Sequence, residues 1–375
     1  MIYLDNASTT SVCEEAKQAA LAAMDNFGNP SSMHRLGIDA EKIVKKSKET
    51  IASVMGVSPK NIYFTSGGTE SNNTAIFGAA NINRAKHLIT TKIEHPSVLE
   101  AFAKLENSGF EVTYLNVNTD GRILLDELEN SLSENTGLVS IMHVNNETGT
   151  IQPIEKVKSI IKEKAPKALF HVDCVQSFGK IDVKPKQWGI DLASISSHKI
   201  HGIKGCGALY VDTTLLKPLL YGGGQQSGIR PGTENVVGIA AFGAAAAQIN
   251  MRNSEYMSQL RMCLKNGILE NIENAKINGS DEYSSGNILN VSFTGIKAEI
   301  LLHSLERRGV YVSTGSACST NKPMPSHVLT AMGCTPEQIT GAVRFSLDAA
   351  LTEKDIDDTI QYLTEEIAMI RKYVR

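Results

Sequence analysis

Seven short runs of β-branched and apolar residues recur along the first part of the chain: Asn61–Thr65, His87–Thr90, Glu111–Leu115, Leu138–Met142, Ala168–Val172, Leu192–Ile195 and Gly207–Val211. Between them the apolar positions change to helical spacing, as in Glu94–Asn107 and Pro153–Lys164. A strand period alternating with a helix period predicts an α/β domain with a largely parallel sheet, because parallel neighbours need a crossover between them. From about Glu234 the pattern becomes a long Ala-rich helical stretch, then a strand at Ile288–Phe293 and a helix at Ala298–Arg307. A second domain is expected there, ending in a helix over Glu353–Lys372. Pro323 and Pro325 make Ser313–Pro325 a loop rather than either element. No tandem repeat or low-complexity tract interrupts the pattern.

Composition adds limits rather than identity. The chain has 375 residues, 42% hydrophobic and 21% charged, enough apolar material for two domains. A formal net charge of −3 gives no electrostatic reason to expect nucleic acid or an anionic membrane as the main partner. Met1–Asp5 lacks the basic and apolar regions of a secretory signal, and no apolar run is long enough to span a bilayer. The expectation is a cytoplasmic protein. Its six cysteines are dispersed without a CxxC pair, which argues against a disulfide framework or zinc ribbon.

Several strand ends carry candidate chemistry. Phe64–Asn72 runs from a strand through Gly67, Gly68 and Thr69 into a helix, whose N-terminal amides and Thr69 hydroxyl suit a phosphate; a capped helix after a glycine turn is the plain alternative. Lys199 follows an apolar strand beside Ser196, His198 and Gly202, where desolvation favours a neutral amine that attacks carbonyls, although most lysines are simply surface groups. Asp173 and Gln176 close another strand; a carboxylate there can keep a pyridinium nitrogen protonated, or merely cap a turn. His95 and Asn146 also stand at strand ends, on the same sheet edge if the sheet is doubly wound. His171 with Cys174, and His198 with His201 and nearby Cys206, have metal-ligand spacing, but no compact motif supplies a fourth ligand, so no metal is expected.

Together TSGGTESNN, EHPSV, HVNNETG, HVDCVQS, SSHKIHG, RPGTEN, STGSACS and VRFSL, in this order, resemble the cysteine desulfurases of the pyridoxal-phosphate-dependent, class V aminotransferase-like family. The likeness runs from Tyr3–Ala7 almost to the C-terminus. It implies fold type I: a large domain over 16–257 with a mainly parallel seven-stranded sheet, and a smaller α+β domain from 1–15 and 258–375.

Residue by residue, the resemblance implies that Lys199 forms the Schiff base with pyridoxal 5′-phosphate, that His95 stacks on its ring and assists proton transfer, that Asp173 pairs with the ring nitrogen and that Gln176 bonds the phenolic oxygen. Gly68, Thr69, Ser196 and His198 would bind the phosphate, with Thr233 reaching it from the neighbouring subunit of a homodimer. Asn146 would orient the substrate, L-cysteine, and Arg344 would take its carboxylate. Cys318, in a run of small residues with a permissive Gly315, would take the sulfur as a persulfide and hand it to an acceptor protein.

Three positions depart from the family pattern without removing a catalytic group. Ile203 stands where proline is frequent, Gln226 where glutamate usually follows Gly-Gly-x-Gln, and Cys174 where a small residue is usual. The sequence ends at Lys372–Arg375 without the longer tail of members that serve the housekeeping scaffold, which leaves an iron–sulfur scaffold, a tRNA-thiolating enzyme or another carrier as acceptors. A selenocysteine lyase or another class V aminotransferase is the nearest alternative reading. A noncatalytic assembly partner is a further one, opposed by the intact Lys199, Asp173 and His95.

Overall fold

The structure, a computed structural model, describes residues 1–82, 86–314 and 325–373. Among them thirteen strands form three sheets. In chain order these are β1 (Ile2–Tyr3), β2 (Ile62–Thr65), β3 (His87–Thr91), β4 (Glu111–Leu115), β5 (Thr136–Met142), β6 (Leu169–Asp173), β7 (Leu192–Ser196), β8 (Gly207–Val211), β9 (Ala275–Asn278), β10 (Ile288–Phe293), β11 (Val310–Tyr311), β12 (Ser313–Thr314) and β13 (Ala342–Ser346).

The large sheet has the order β2-β8-β7-β6-β5-β3-β4, and only β8 runs against its neighbours. Strands β3, β5, β6, β7 and β8 are buried along their whole length, which is why their sequences are continuous apolar runs rather than alternating ones. The ends of β3, β5, β6 and β7 therefore open on one edge, where His95, Asn146, Asp173 and Lys199 follow in the chain. An antiparallel sheet, β12-β13-β10-β9, and the parallel pair β1-β11 build the rest.

Sequence and structure differ at particular elements. Ser313–Thr314, expected as the start of a loop, forms β12 and pairs with β13, Ser313 lying opposite Arg344. Its backbone groups find partners on a strand close in space but distant in sequence, which local composition does not show. The helix expected from Glu94 begins at Pro96 instead, with His95 as its N-cap accepting from Ser97 N, because proline fits the first turn and needs no donor there. The short β9 and the helices Glu14–Asp25 and Arg35–Met55 are not among the elements expected above, although Ala40, Val44, Ser47, Ile51 and Met55 fall at helical spacing on the buried face of the second helix.

Three apolar cores are found among the described residues. One joins Ile2 and Leu4 to Leu260, Leu289, Val310, Phe345 and Leu363. The other two lie against the large sheet; Val328, Leu329 and Met332 pack into one from late in the chain, and the other joins Ile76 and Phe102 to Leu88, Leu138 and Leu192.

Gly207 lies where the sheet meets the future site. It pairs with both Ser196 and Thr65, and a Cβ there would fall 2.7 Å from Gly67 Cα and 2.9 Å from the Ile195 carbonyl. Both obstacles are backbone, so neither can rotate away. We predict that Gly207→Ala destabilises the fold by roughly 1–3 kcal/mol, the usual cost of overpacking, read as a lowered denaturation midpoint; an unchanged midpoint would refute the close approach.

Candidate active site

The Gly67–Gly68 turn feeds the helix Gly68–Ala80, whose first amides have no acceptor within the helix. Gly67 has a φ of 155°, and a Cβ on Gly68 would meet Val175 Cγ2 at 2.9 Å. Ser196, at the end of β7, is buried and its hydroxyl oxygen has no hydrogen-bond partner. A buried hydroxyl left open beside a helix N-terminus fits a phosphate, which accepts from every one of these donors. His198 adds a ring whose pKa is held down at about 4 by burial and by the charges of Lys199 and Lys204, so it is a neutral donor rather than a cation. Thr69 is exposed at the first turn of the helix.

Two residues the sequence reading assigned no role, Asn72 and Ser97, join Asp173 to His95. Asn72 sits one turn into the phosphate helix and spends both amide hydrogens, one on Asp173 Oδ2 at 2.8 Å and one on Ser97 Oγ at 2.9 Å. Ser97 Oγ lies 2.8 Å from His95 Nδ1, which also accepts from Ser97 N at 3.1 Å. Accepting at Nδ1 leaves the neutral ring its proton on Nε2. Burial lowers the His95 pKa; Asp173 opposes the fall, while Lys199 and His327 add to it. The only prior sign of Asn72 was its place four residues beyond Gly68, on the same helix face.

Lys199 leaves a short turn between β7 and β8 and is half-buried. Its Nζ donates to the carbonyls of Ala7 at 2.5 Å and Ser8 at 2.7 Å, and Gln176 Nε2 donates to the same Ala7 carbonyl at 2.9 Å. Arg344, on β13, is buried; it donates to the Asn146 carbonyl at 2.9 Å, to Asp5 Oδ1 at 2.8 Å and to Ser8 Oγ at 2.6 Å, while its Nε has no partner. Lys199, Gln176 and Arg344 thus all meet the segment Asp5–Ser8, which the motif reading had not singled out for the site. A cavity of about 540 Å³ opens beside Thr69, His95 and Ser97.

The structure gathers Gly68, His95, Asn146, Asp173, Gln176, Ser196, His198, Lys199 and Arg344 around this edge, but Thr233 stands apart. It is exposed, in a cavity of about 200 Å³ with Thr65 and Ser66. Its flanks are fixed: Arg230 pairs with Glu70 at 2.7 Å, and Gln226 accepts from Phe64 N while donating to Glu234. With glutamate at 226 that second contact would face a like charge; the amide makes it a bond. Cys318 lies outside the described residues. The flanks of its segment are described: Thr314 on β12, and Ser326, whose hydroxyl donates to Glu147 Oε2 at 2.6 Å. His171, on β6, and Cys174, the residue after that strand, are both buried, the histidine held between Ser140 and Ser194 at 2.8 and 2.9 Å.

Beneath His95 lies a fully buried carboxyl, Glu94. Its Oε1 accepts from Thr91 Oγ1 and Met142 N, its Oε2 has no partner, and burial with the nearby charge of Asp173 pushes its pKa from 4.5 to about 8. Between those values the unfolded chain has released this proton and the folded chain keeps it, so its contribution to stability falls as pH rises through that window. We predict that Glu94→Gln, neutral at every pH, gains thermal stability over the parent by several degrees at pH 8 and little at pH 5. A gap equal at both pH values would count against a buried, protonated Glu94.

Comparison with known proteins covers nearly the whole chain. The family model for aminotransferase class-V matches residues 2–359. A cysteine desulfurase of a Nostoc species is 43% identical over 99% of this chain and 94% of its own length. The cysteine desulfurase IscS of Methanosarcina thermophila is 43% identical over 99% and 93%. Among solved structures, a NifS-like protein superposes with a TM-score of 0.92 at 39% identity, covering 98% of this chain and 99% of that one. SspA, solved in complex with cysteine, gives 0.83 at 36% identity over 94% and 100%.

Proposed function

This chain belongs to the aminotransferase class-V family, as a pyridoxal-phosphate-dependent cysteine desulfurase within it, and we propose that the residues gathered at the sheet edge divide that chemistry among them. The observation that carries the division is the buried, unpartnered Ser196 hydroxyl beside the Gly68 turn, with Asp173 and Lys199 on the neighbouring strand ends. When bound there, pyridoxal phosphate supplies an electron sink that makes the substrate's α-proton removable.

The Gly68 and Thr69 amides, Ser196 and His198 hold the phosphate, with Thr233 contributed by a second subunit. Asp173 would hold the protonated ring nitrogen, and His95, fixed by Asn72 and Ser97, would pack against the ring. Gln176, which donates to the Ala7 carbonyl, would bond the phenolic oxygen. Lys199 would hold the cofactor through Nζ and would serve as the base for the substrate's α-proton. Arg344 receives the carboxylate of L-cysteine, its open Nε and the exchangeable Asp5 contact providing the fork, and Asn146 orients the substrate.

Cys318 as thiolate attacks the substrate sulfur. An S–S bond forms and the C–S bond breaks, leaving its electron pair on the substrate's β-carbon; the β-carbon takes one proton and the α-carbon regains the one it lost, which yields alanine. The persulfide sulfur then passes to an acceptor protein in iron–sulfur assembly or tRNA thiolation. The functional division into 16–257 and 1–15 with 258–375 agrees with the core that joins Ile2 and Leu4 to Leu260 and Leu363. A homodimer accords with exposed Phe27, Met33, Leu36 and Tyr221. Five unpaired cysteines among the described residues suit the reducing cytoplasm.

The central test is alanine and sulfide release from L-cysteine, with L-selenocysteine run alongside. We predict that Cys318→Ala retains the cofactor and its visible absorbance but loses alanine release from cysteine by about two orders of magnitude or more, as expected when a nucleophile is removed; normal release would end that assignment. Lys199→Ala should lose the lysine-bound absorbance. Turnover confined to selenocysteine would replace the reading with that of a lyase. For the subunit arrangement, Phe27→Asp should shift the sedimentation equilibrium toward monomer and lower phosphate retention; a parent protein that is monomeric at all concentrations would exclude Thr233 from the site.

A further inference from the structure

His201 stands two residues beyond Lys199 with a φ of 68°, in the left-handed region that a non-glycine residue seldom occupies. Its backbone is fixed on both sides: N–H donates to Thr10 Oγ1 at 2.8 Å, and the carbonyl accepts from Cys13 N at 2.9 Å. The ring then spans two acceptors. Nδ1 lies 3.0 Å from the Ser11 carbonyl and Nε2 2.9 Å from Asp348 Oδ2.

Asp348 follows β13, the strand that carries Arg344, by two residues. Its other oxygen accepts from Ala350 N at 3.0 Å, and Lys180 Nζ, on a buried side chain, lies 4.0 Å from Oδ2. His201 and Lys180 hold this carboxyl at about 2, so it is a fixed anion between the two cations or donors that face it. Cys13, Glu15, Lys180, His201 and Asp348 line one cavity of about 210 Å³ away from the reacting edge.

We propose that His201 and Asp348 act together as positioning residues, setting the distance between Lys199 and Arg344 across the two sheets. The inference rests on the roles given above to those two residues. Lys199 must reach the α-carbon of the substrate while Arg344 grips the carboxylate on that same carbon, so their separation is dictated by one small molecule. The ties that the two reacting side chains themselves make to the N-terminal segment do not survive its arrival. Lys199 must leave the Ala7 and Ser8 carbonyls, and Arg344 must open toward the incoming carboxylate. The His201–Asp348 link uses no reacting group and persists through turnover. The strained backbone at His201 is consistent with a residue held in place by its surroundings for the sake of its side chain.

The test uses the holoenzyme and three variants. His201→Asn keeps a residue type that tolerates the left-handed backbone but is too short to span both acceptors; Asp348→Asn keeps the volume and removes the charge; the third combines them. His201→Gly replaces the first if it does not fold. The expected result is full cofactor content, a loss of kcat/KM for L-cysteine of about tenfold or more in each single variant, and a double variant no worse than the poorer single, because one link is broken once. The pH midpoint of the lysine-bound cofactor's visible band should move in all three, which general destabilisation would not cause. Activity within about twofold of the parent, losses that multiply in the double variant, or an unmoved midpoint would overturn the proposal. A parent enzyme with no lysine-bound band at all would instead remove the Lys199 assignment.

Discussion

Ser8 is the point on which the site turns. Its carbonyl accepts from Lys199 and its hydroxyl accepts from Arg344, so one residue of the N-terminal segment touches the amine of one sheet and the guanidinium of another. Around it the segment is laced to both sides: Thr10 to the His198 carbonyl, Cys13 to His201, Asp5 to Ser346 and Arg344. Neither sheet alone would place the two groups. The strap between them does, because every backbone donor it leaves unpaired in that buried seam would carry a desolvation cost.

Burial also governs the charges. The same burial that holds the His198 ring neutral and raises the Glu94 carboxyl to about 8 also lowers the pKa of His95 and raises that of Glu147, so every one of these groups in the shell around the reacting edge is pushed toward its uncharged form. Asp173 remains central to that shell, bonded to Asn72 and to Val175 N. A single buried carboxylate surrounded by neutral donors is a well-defined partner for a protonated ring, since few nearby charges compete with it.

The large sheet was legible mainly because β3 and β5 to β8 are buried along their whole length, so their apolar runs stand out without any knowledge of partners. The strand-end residues were legible for a related reason: a turn after a buried strand has few positions, and Asp173, His95 and Lys199 occupy them. β12 was not, since two residues of strand are defined only by Arg344 and Val343 across from them. Asn72 and Ser97 were missed because an amide and a hydroxyl gain chemistry only from what they bridge. Thr233 shows the complementary limit: its motif was visible, but its proposed partner belongs to another copy of the chain.

The strap has a consequence in time as well as in space. Residues 5–13 are made long before the groups they join, Lys199, His201, Arg344 and Asp348. The large sheet can condense around its own neighbouring segments during synthesis. The seam at Ser8 has nothing to close upon until β13 has emerged. A nascent chain therefore carries most of its architecture without a complete pocket, and catalytic competence waits for the strand that brings Arg344.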